Sequence, residues 1–496
     1  MYESYDKKSL IRYVAIFAII ILMMKFTSGI GFAVMIPLVL IALSTGRNED
    51  LLFYLMVTGT VVVGNTFFFP KSSTFFLIQR GIIAVLSVLL GSKIFGRRLP
   101  IALKPLWGLV AYVIYMVVPS SLGWSPMVSY LKMFLFLLCL FAYIGVVTHI
   151  LTTRRIRQDK LRSILLAFGI VYILGSTLLI PFPAISQLTG EDYANAVAAG
   201  RHVTSLFTGM TNQSQCLGPV ISILSCFLLG DLLFAVRRWD KLYVLLLSCC
   251  PILIYKTSSR TAMGTYLIGT VIVLFFFMKA RGITSKWRSK ALGAITSLGV
   301  LALLVASMSS GVRQGALNFM LKWGDETKAS DISVEALAST RQGLVDSALK
   351  NFKKSPLYGN GFQVSENMSR YKARSIKDVL SAPIEKGVWV TAVLEEGGVA
   401  GFVIFLLFLL TCWIMLTRCH AYLGCSLLMT FLVSNFGEFS FFSMSYIGGF
   451  MWAMVFMGLT FDCVRNRDRD FETQMGFFSL HTLPPPSPNF PKREGT

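Results

Sequence analysis

The stretch SYLKMFLFLLCLFAYIGVVTHI, from Ser129 to Ile150, decides the fold. Lys132 is the only Asp, Glu, Lys or Arg in it, and five basic residues (Arg154, Arg155, Arg157, Lys160 and Arg162) follow close behind. A run of this length reaches across the roughly 30 Å hydrocarbon core when it is helical. A helix also satisfies its own backbone donors and acceptors, which lipid cannot do. The reading is therefore a transmembrane helix ending in a basic cytoplasmic connection.

Similar runs lie on both sides of it. Before it come Leu10 to Met24, Gly31 to Leu43, Leu51 to Phe69, Phe75 to Ile94 and Leu106 to Val118. After it come Ser163 to Ile180, Gln213 to Val236, Leu242 to Tyr255, Thr261 to Met278 and Ala291 to Ser307. Val399 to Leu416, Leu423 to Phe436 and Tyr446 to Phe461 complete the series. The expectation is an all-α polytopic membrane protein with about fourteen spans, twelve being the lower count; the first two runs are short enough to pair as a hairpin or merge. Composition agrees: among 496 residues, 54% are hydrophobic and 14% charged, and the mean hydropathy is +0.65. Those values exclude a set of soluble domains.

The net charge of +21 would suggest nucleic acid in a soluble chain. In a membrane chain the sidedness of Lys and Arg carries the information. With Lys7, Lys8 and Arg12 inside, every second connection should be basic. Arg47, then Lys93 to Lys104, Arg154 to Arg162, Arg237 to Lys241, Lys279 to Lys290, Arg418 and Arg465 to Arg469 meet that demand. The outside connections Pro119 to Pro126 and Asn435 to Ser443 hold no Lys or Arg. Both termini are expected in the cytoplasm, with the first run acting as an uncleaved anchor. The nine cysteines lie scattered through apolar segments with no CxxC pair, which reads as core packing and points to neither a disulfide framework nor a metal site.

Four regions follow. Residues 1–308 form the bundle of the first eleven spans, 309–386 an outside loop with an amphipathic helix, 387–462 the last three spans, and 463–496 a proline-bearing disordered cytoplasmic tail. The outside loop carries twelve Lys or Arg against eight Asp or Glu, a net of +4 that suits an anionic lipid-linked substrate.

Four constellations can carry chemistry. In Lys256 to Ala262, Arg260 offers a planar fork of donors for a phosphate or diphosphate, with Lys256 and Ser259 beside it. The same residues also fit an ordinary pattern in which Ser259 caps the next helix while Arg260 and Lys256 reach the lipid headgroups. Arg341 opens an amphipathic stretch with Leu344, Val345, Ala348, Leu349 and Phe352 at helical spacing, ended by the turn at Pro356 and Gly359. It is equally a solvated surface charge. Glu385 and Lys386 precede Glu395, Glu396 and a Gly-rich span start. A carboxylate or amine at such a mouth serves as a proton acceptor or diphosphate partner, or simply as an interfacial pair. Arg201 and His202, in the other long outside connection, form the fourth group. His202 is the one histidine this topology puts outside, and an ordinary hydrogen-bonded polar residue is its plainer reading.

Taken in order, Ser259-Arg260-Thr261-Ala262, Arg341 upstream of Pro356-Leu357-Tyr358-Gly359-Asn360-Gly361, and Glu396-Gly397-Gly398-Val399-Ala400-Gly401 resemble the O-antigen ligase and polysaccharide polymerase family of membrane glycosyltransferases. The resemblance covers roughly Arg201 to Phe461, and its specificity lies in the order of short motifs. It implies a GT-C-like helical bundle in the bacterial inner membrane. The implied donor is a glycan on undecaprenyl or another polyprenyl diphosphate at the outer face, and the acceptor a glycan or lipid A core. No metal or cofactor is implied, and membrane lipids rather than nucleic acid are the surroundings. Arg260 and Arg341 would hold the donor diphosphate as a leaving group, with Lys256, Ser259, Arg201, His202 and Glu396 contributing to substrate binding. Many members carry a His about ten residues before the Glu-Gly segment, where this chain has Glu385-Lys386-Gly387. Glu385 is then the expected base and Lys386 the expected diphosphate support, or the base itself if its pKa is strongly lowered. The rival class is a polysaccharide flippase or other secondary transporter, which would place its polar sites near the midplane and show repeat symmetry.

Overall fold

The structure is a computed structural model. It describes residues 5–27, 30–60, 64, 65, 67, 68, 73–92, 99–152, 157–186, 207–234, 240–257, 259–283, 334–364, 388–437, 439–443 and 446–481. Among these the regular elements are helices, with an isolated antiparallel bridge between Gly64 and Thr211. In chain order they are α1 (Lys7–Phe26), α2 (Met35–Ser44), α3 (Asn48–Thr60), α4 (Ser73–Gly91), α5 (Leu106–Tyr115), α6 (Val117–Leu122), α7 (Pro126–Thr152) and α8 (Gln158–Gly169). A π segment, Ile170–Leu174, leads into the short α9 (Gly175–Leu178) and α10 (Pro183–Ser186). The rest are α11 (Ser214–Phe234), α12 (Lys241–Lys256), α13 (Arg260–Ala280), α14 (Val334–Lys354), α15 (Trp389–Arg418), α16 (Tyr422–Ser434) and α17 (Tyr446–His481).

Eight of the described helical stretches are long and apolar enough to cross a membrane: 7–26, 101–122, 126–152, 158–178, 215–234, 260–280, 389–418 and 447–466. The run Ala291 to Ser307 lies outside the described residues. So does most of the expected outside loop, with 334–364 described. The last helix continues to His481, past the boundary expected at Asp462. The surface of α15 shows why such a bundle needs lipid. Val399, Val403, Leu407 and Leu410 are about half exposed along one face, while Phe405, Phe408, Cys412 and Leu416 are buried on another. In water that exposed stripe would be an aggregation surface.

The two ends of the bundle differ in chemistry. At one end Arg12 pairs with Asp50, Lys160 with Glu49, Arg162 with Asp231 and Arg465 with Asp462. Asp231 is buried and receives Arg162 Nε at 3.0 Å and the Tyr243 hydroxyl at 2.6 Å, tying α8, α11 and α12 together. Asp462 accepts the Gly424 N–H at 2.8 Å and so joins α17 to α16. Once formed, such buried pairs are costly to break on one side only. This end holds the connections with the expected cytoplasmic charge. We call it the charged end.

Helix α1 starts there. Asp6 caps it by accepting the Lys8 N–H at 3.1 Å and the Ser9 hydroxyl at 2.6 Å, while its own backbone exchanges hydrogen bonds with Ser163. The Ser9 hydroxyl is the main reason the Asp6 carboxyl sits below its ordinary pKa of 3.8. A lowered carboxyl pKa contributes stability that is complete above the ordinary value and disappears as pH falls through the folded one. Between pH 6 and about pH 3 the thermal midpoint in detergent should therefore fall less for Asp6→Asn than for the wild type, because Asn keeps the cap without titrating. Equal pH profiles for the two proteins would show that this cap carries no linkage.

Candidate functional site

At the opposite end, two of the sequence motifs dock on each other. We call it the loop end. Its centre is a break in α15. Gly398 has φ 64° and ψ −167°, which splits the helix into Trp389–Gly397 and Val399–Arg418. The turn after α14 docks into that break through backbone hydrogen bonds. Asn360 N donates to the Glu395 carbonyl (2.9 Å) and Gly361 N to the Glu396 carbonyl (3.0 Å), while Val399 N donates to Pro356 O (2.9 Å) and Ala400 N to Leu357 O (3.3 Å). Both raw ends of the broken helix thereby find partners, as a buried helix terminus requires.

The docking is tight enough to demand glycine on both sides. A Cβ on Gly359 would lie 2.3 Å from the Glu396 carbonyl oxygen, and one on Gly398 would lie 2.3 Å from the Leu357 carbonyl oxygen. Both glycines have left-handed φ, 79° and 64°. Gly361 (φ 108°) and Gln363 (φ 50°) extend the unusual backbone along the same turn. Such conformations persist only where surroundings enforce them. Here Phe362 N donates to Ser120 Oγ at 3.1 Å, and Lys132 Nζ donates to the Gln363 carbonyl at 3.1 Å. Phe362 is fully buried against Phe136 and Phe442, and Phe442 stacks on Tyr112 with ring centroids 4.9 Å apart. The turn stands on a buried aromatic floor.

The side chains at the junction form a closed ring. Asn351 Nδ2 donates to Glu395 Oε1 (2.9 Å), and Asn360 Nδ2 donates to the carbonyls of Asn351 (3.0 Å) and Glu395 (3.2 Å). All three residues are buried, as is Glu396, at 1% exposure. Glu396 thus lies beneath the turn, next to Tyr112, whose hydroxyl is likewise buried. Arg341 lies on α14, ten residues before Asn351.

The Arg260 segment reaches the same end by another route. Ser259 Oγ accepts the Ala262 N–H at 3.3 Å, so Ser259 is the N-cap of α13. Arg260 is partly exposed as the first helical residue, and Lys256 is exposed in the last turn of α12. Helix α11 packs close behind, since a Cβ on Gly218 would meet Ala262 and Ser259, and Ser222 Oγ donates to the Ala262 carbonyl at 2.9 Å. In front, Gly437 fits directly against the Thr261 side chain. Gly437 belongs to a turn built on Asn435, whose carbonyl accepts the Trp389 N–H (3.0 Å) and whose Oδ1 accepts the Ser440 N–H (2.6 Å). One small turn therefore contacts the start of α13 and the start of α15.

The structure thus docks the Pro356–Phe362 turn onto Glu395 and Glu396, and links the Ser259–Thr261 start of α13 to the start of α15 through the Asn435–Gly437 turn. Arg201, His202, Glu385 and Lys386 lie outside the described residues, the last two just before Val388. Sequence reasoning missed Asn351, Asn435 and Ser120, which no motif marks, and gave no role to Asn360 and Glu395, although both lie in the stretches it quoted. Lys132 did carry a signal, as an ionisable residue within an apolar run. Among the described residues no group of three or more His, Cys, Asp or Glu is placed to hold a metal. No protein-family model and no curated protein matches this chain, so the resemblance to O-antigen ligases and polysaccharide polymerases rests on its quoted motifs alone.

Proposed function

We propose that this multi-pass protein is a membrane glycosyltransferase of the O-antigen ligase or polysaccharide polymerase kind, a GT-C-like bundle of about fourteen spans. It takes a glycan from a polyprenyl diphosphate at the outer face of the bacterial cytoplasmic membrane. The observation that carries this reading is the docking of the Pro356–Phe362 turn into the break before Val399, at the end of the bundle where the Asn435–Gly437 turn links the starts of α13 and α15. With the charged end read as cytoplasmic, both termini are cytoplasmic and the loop end faces outward.

In this reading the acceptor hydroxyl attacks the anomeric carbon, the bond from that carbon to the diphosphate oxygen breaks, and the carrier diphosphate leaves with its charge. Fixed cations beside an apolar wall stabilise that developing charge, which is the role assigned to Arg260 and Arg341, with Lys256 and Lys386 alongside. Glu385 takes the acceptor proton. Ser259 orients the start of α13, and Arg201 and His202 meet the glycan. The reaction as written needs no metal or cofactor.

A flippase or other transporter is the competing class. Transporters use the free termini of broken helices to line a substrate cavity. Here the termini at Gly398 are occupied by the backbone of the docked turn, which favours chemistry at the bundle surface. Purified protein in liposomes containing a defined polyprenyl-diphosphate glycan and acceptor should release free carrier diphosphate and lengthen or glycosylate the acceptor without any other protein. Movement of intact donor between leaflets with no carrier release would assign the protein to the flippase class instead.

A further inference from the structure

Glu395, noted in the sequence only as one of the charges at a span mouth, is the hub of the buried ring that joins α14 to α15. Its carboxylate accepts from Asn351, the residue that anchors the last turns of α14. Its carbonyl accepts both the backbone and the side-chain amide of Asn360. From this geometry we infer that Glu395, acting through Asn351, is a positioning residue that sets the angle of α14, the helix that carries Arg341. The inference rests on the glycosyltransferase reading for Arg341, but the mechanical part stands on the contacts alone.

The lever is long. Ten residues of α-helix separate Asn351 from Arg341, about 15 Å along the axis. Tilting the helix by about 20° at Asn351 would carry the Arg341 backbone about 5 Å. A misplacement of about 1 Å at a reacting centre already costs up to about 100-fold in rate. The buried hydrogen bonds at the near end of α14 thus bear directly on where the backbone of Arg341 is carried. Nothing else in the ring is exposed to substrate, because Asn351, Asn360 and Glu395 are 2%, 6% and 3% exposed.

The test reverses the polarity of one hydrogen bond. Asn351→Asp sets two carboxylates face to face and should push α14 off the junction. Adding Glu395→Gln lets the new amide donate to the carboxylate introduced on α14 and restores the link. Transfer assays should show kcat lowered about 30-fold or more in N351D, with the donor KM shifted less than about threefold, and recovery to within about fivefold of wild type in N351D/E395Q. A second readout does not depend on chemistry. Spin labels at Gly343 on α14 and Leu122 at the end of α6 should give one narrow distance distribution in the wild type, a broad one in N351D and a narrow one again in the double variant. Asn351→Ala, a milder break, should broaden it as well. An unchanged distribution in N351D and N351A, or a double variant no better than N351D in both readouts, would overturn the inference. If the distances respond as described while no variant, wild type included, transfers glycan, the positioning role stands and the glycosyltransferase reading fails.

Discussion

Arg260→Ala is expected to lower glycan transfer by about 10²- to 10³-fold, the cost of removing one preorganised donor from a developing anion. Arg260→Lys should recover about tenfold of that loss and no more, since an ammonium is a point charge without the planar fork that grips two phosphate oxygens. The variants should insert in the membrane as the wild type does. The start of α13 is held by Ser259, by Ser222 from α11 and by the Gly437 turn, none of which uses the Arg260 side chain in its hydrogen bonds. Alanine also has the highest intrinsic helix propensity, so the substitution does not weaken α13 through its backbone. Measuring carrier release against thermal midpoint for the same preparations separates a chemical loss from a structural one. An arginine that merely reaches lipid headgroups predicts another pattern, with Lys equal to Arg and Ala within a few-fold. That pattern would remove Arg260 from the site.

Apolar length alone made much of the bundle legible. The run Ser129 to Ile150 is the body of Pro126–Thr152, and Thr261 to Met278 is the body of Arg260–Ala280, because an uninterrupted run in lipid has only the helix available to it. Legibility failed where polar residues enter a helix. The span expected from Val399 is the second half of Trp389–Arg418, and the expected start coincides with the break at Gly398. The first half escaped because it carries Glu395 and Glu396, which hydropathy counts against a span although both are buried. The run Leu106 to Val118 likewise belongs to a longer helical stretch, 101–122, interrupted near Met116.

The site was legible as an order of motifs and not as a contact. Nothing in Pro356 to Phe362 announces a partner some forty residues later, since the union is made by backbone N–H and C=O groups that every residue possesses. What the sequence does hold is the pair of glycines where two backbones touch. Asn435 shows the same limit. Its side-chain amide and its carbonyl hold three chain segments together, yet a lone Asn in a Ser- and Phe-rich connection has no spacing to mark it.

Those glycines give the largest stability effect expected for this protein. Gly398→Ala should be severely destabilising, about 4 kcal/mol or more, and Gly359→Ala comparably so. At Gly398 the backbone angles fall in a region that is essentially glycine-only, worth about 1–3 kcal/mol of strain for any other residue. The added Cβ would also sit 2.3 Å from the Leu357 carbonyl oxygen and 2.7 Å from Tyr358 N. These are backbone atoms, so no rotamer change relieves the clash and the turn must lift away. Lifting it leaves the buried partners at Glu395, Glu396, Pro356 and Leu357 unpaired, at about 1–3 kcal/mol for each group that water does not reach. Gly264→Ala and Gly343→Ala are the matched controls. Both are helical, a Cβ on either meets nothing within 4 Å, and both should leave the thermal midpoint unchanged or slightly raised. A Gly398→Ala protein as stable as Gly264→Ala would mean that the turn does not dock into the break. The contrast with Arg260 separates scaffold from chemistry. Gly398→Ala should lose stability and transfer together, whereas Arg260→Ala should lose transfer out of proportion to any change in its thermal midpoint.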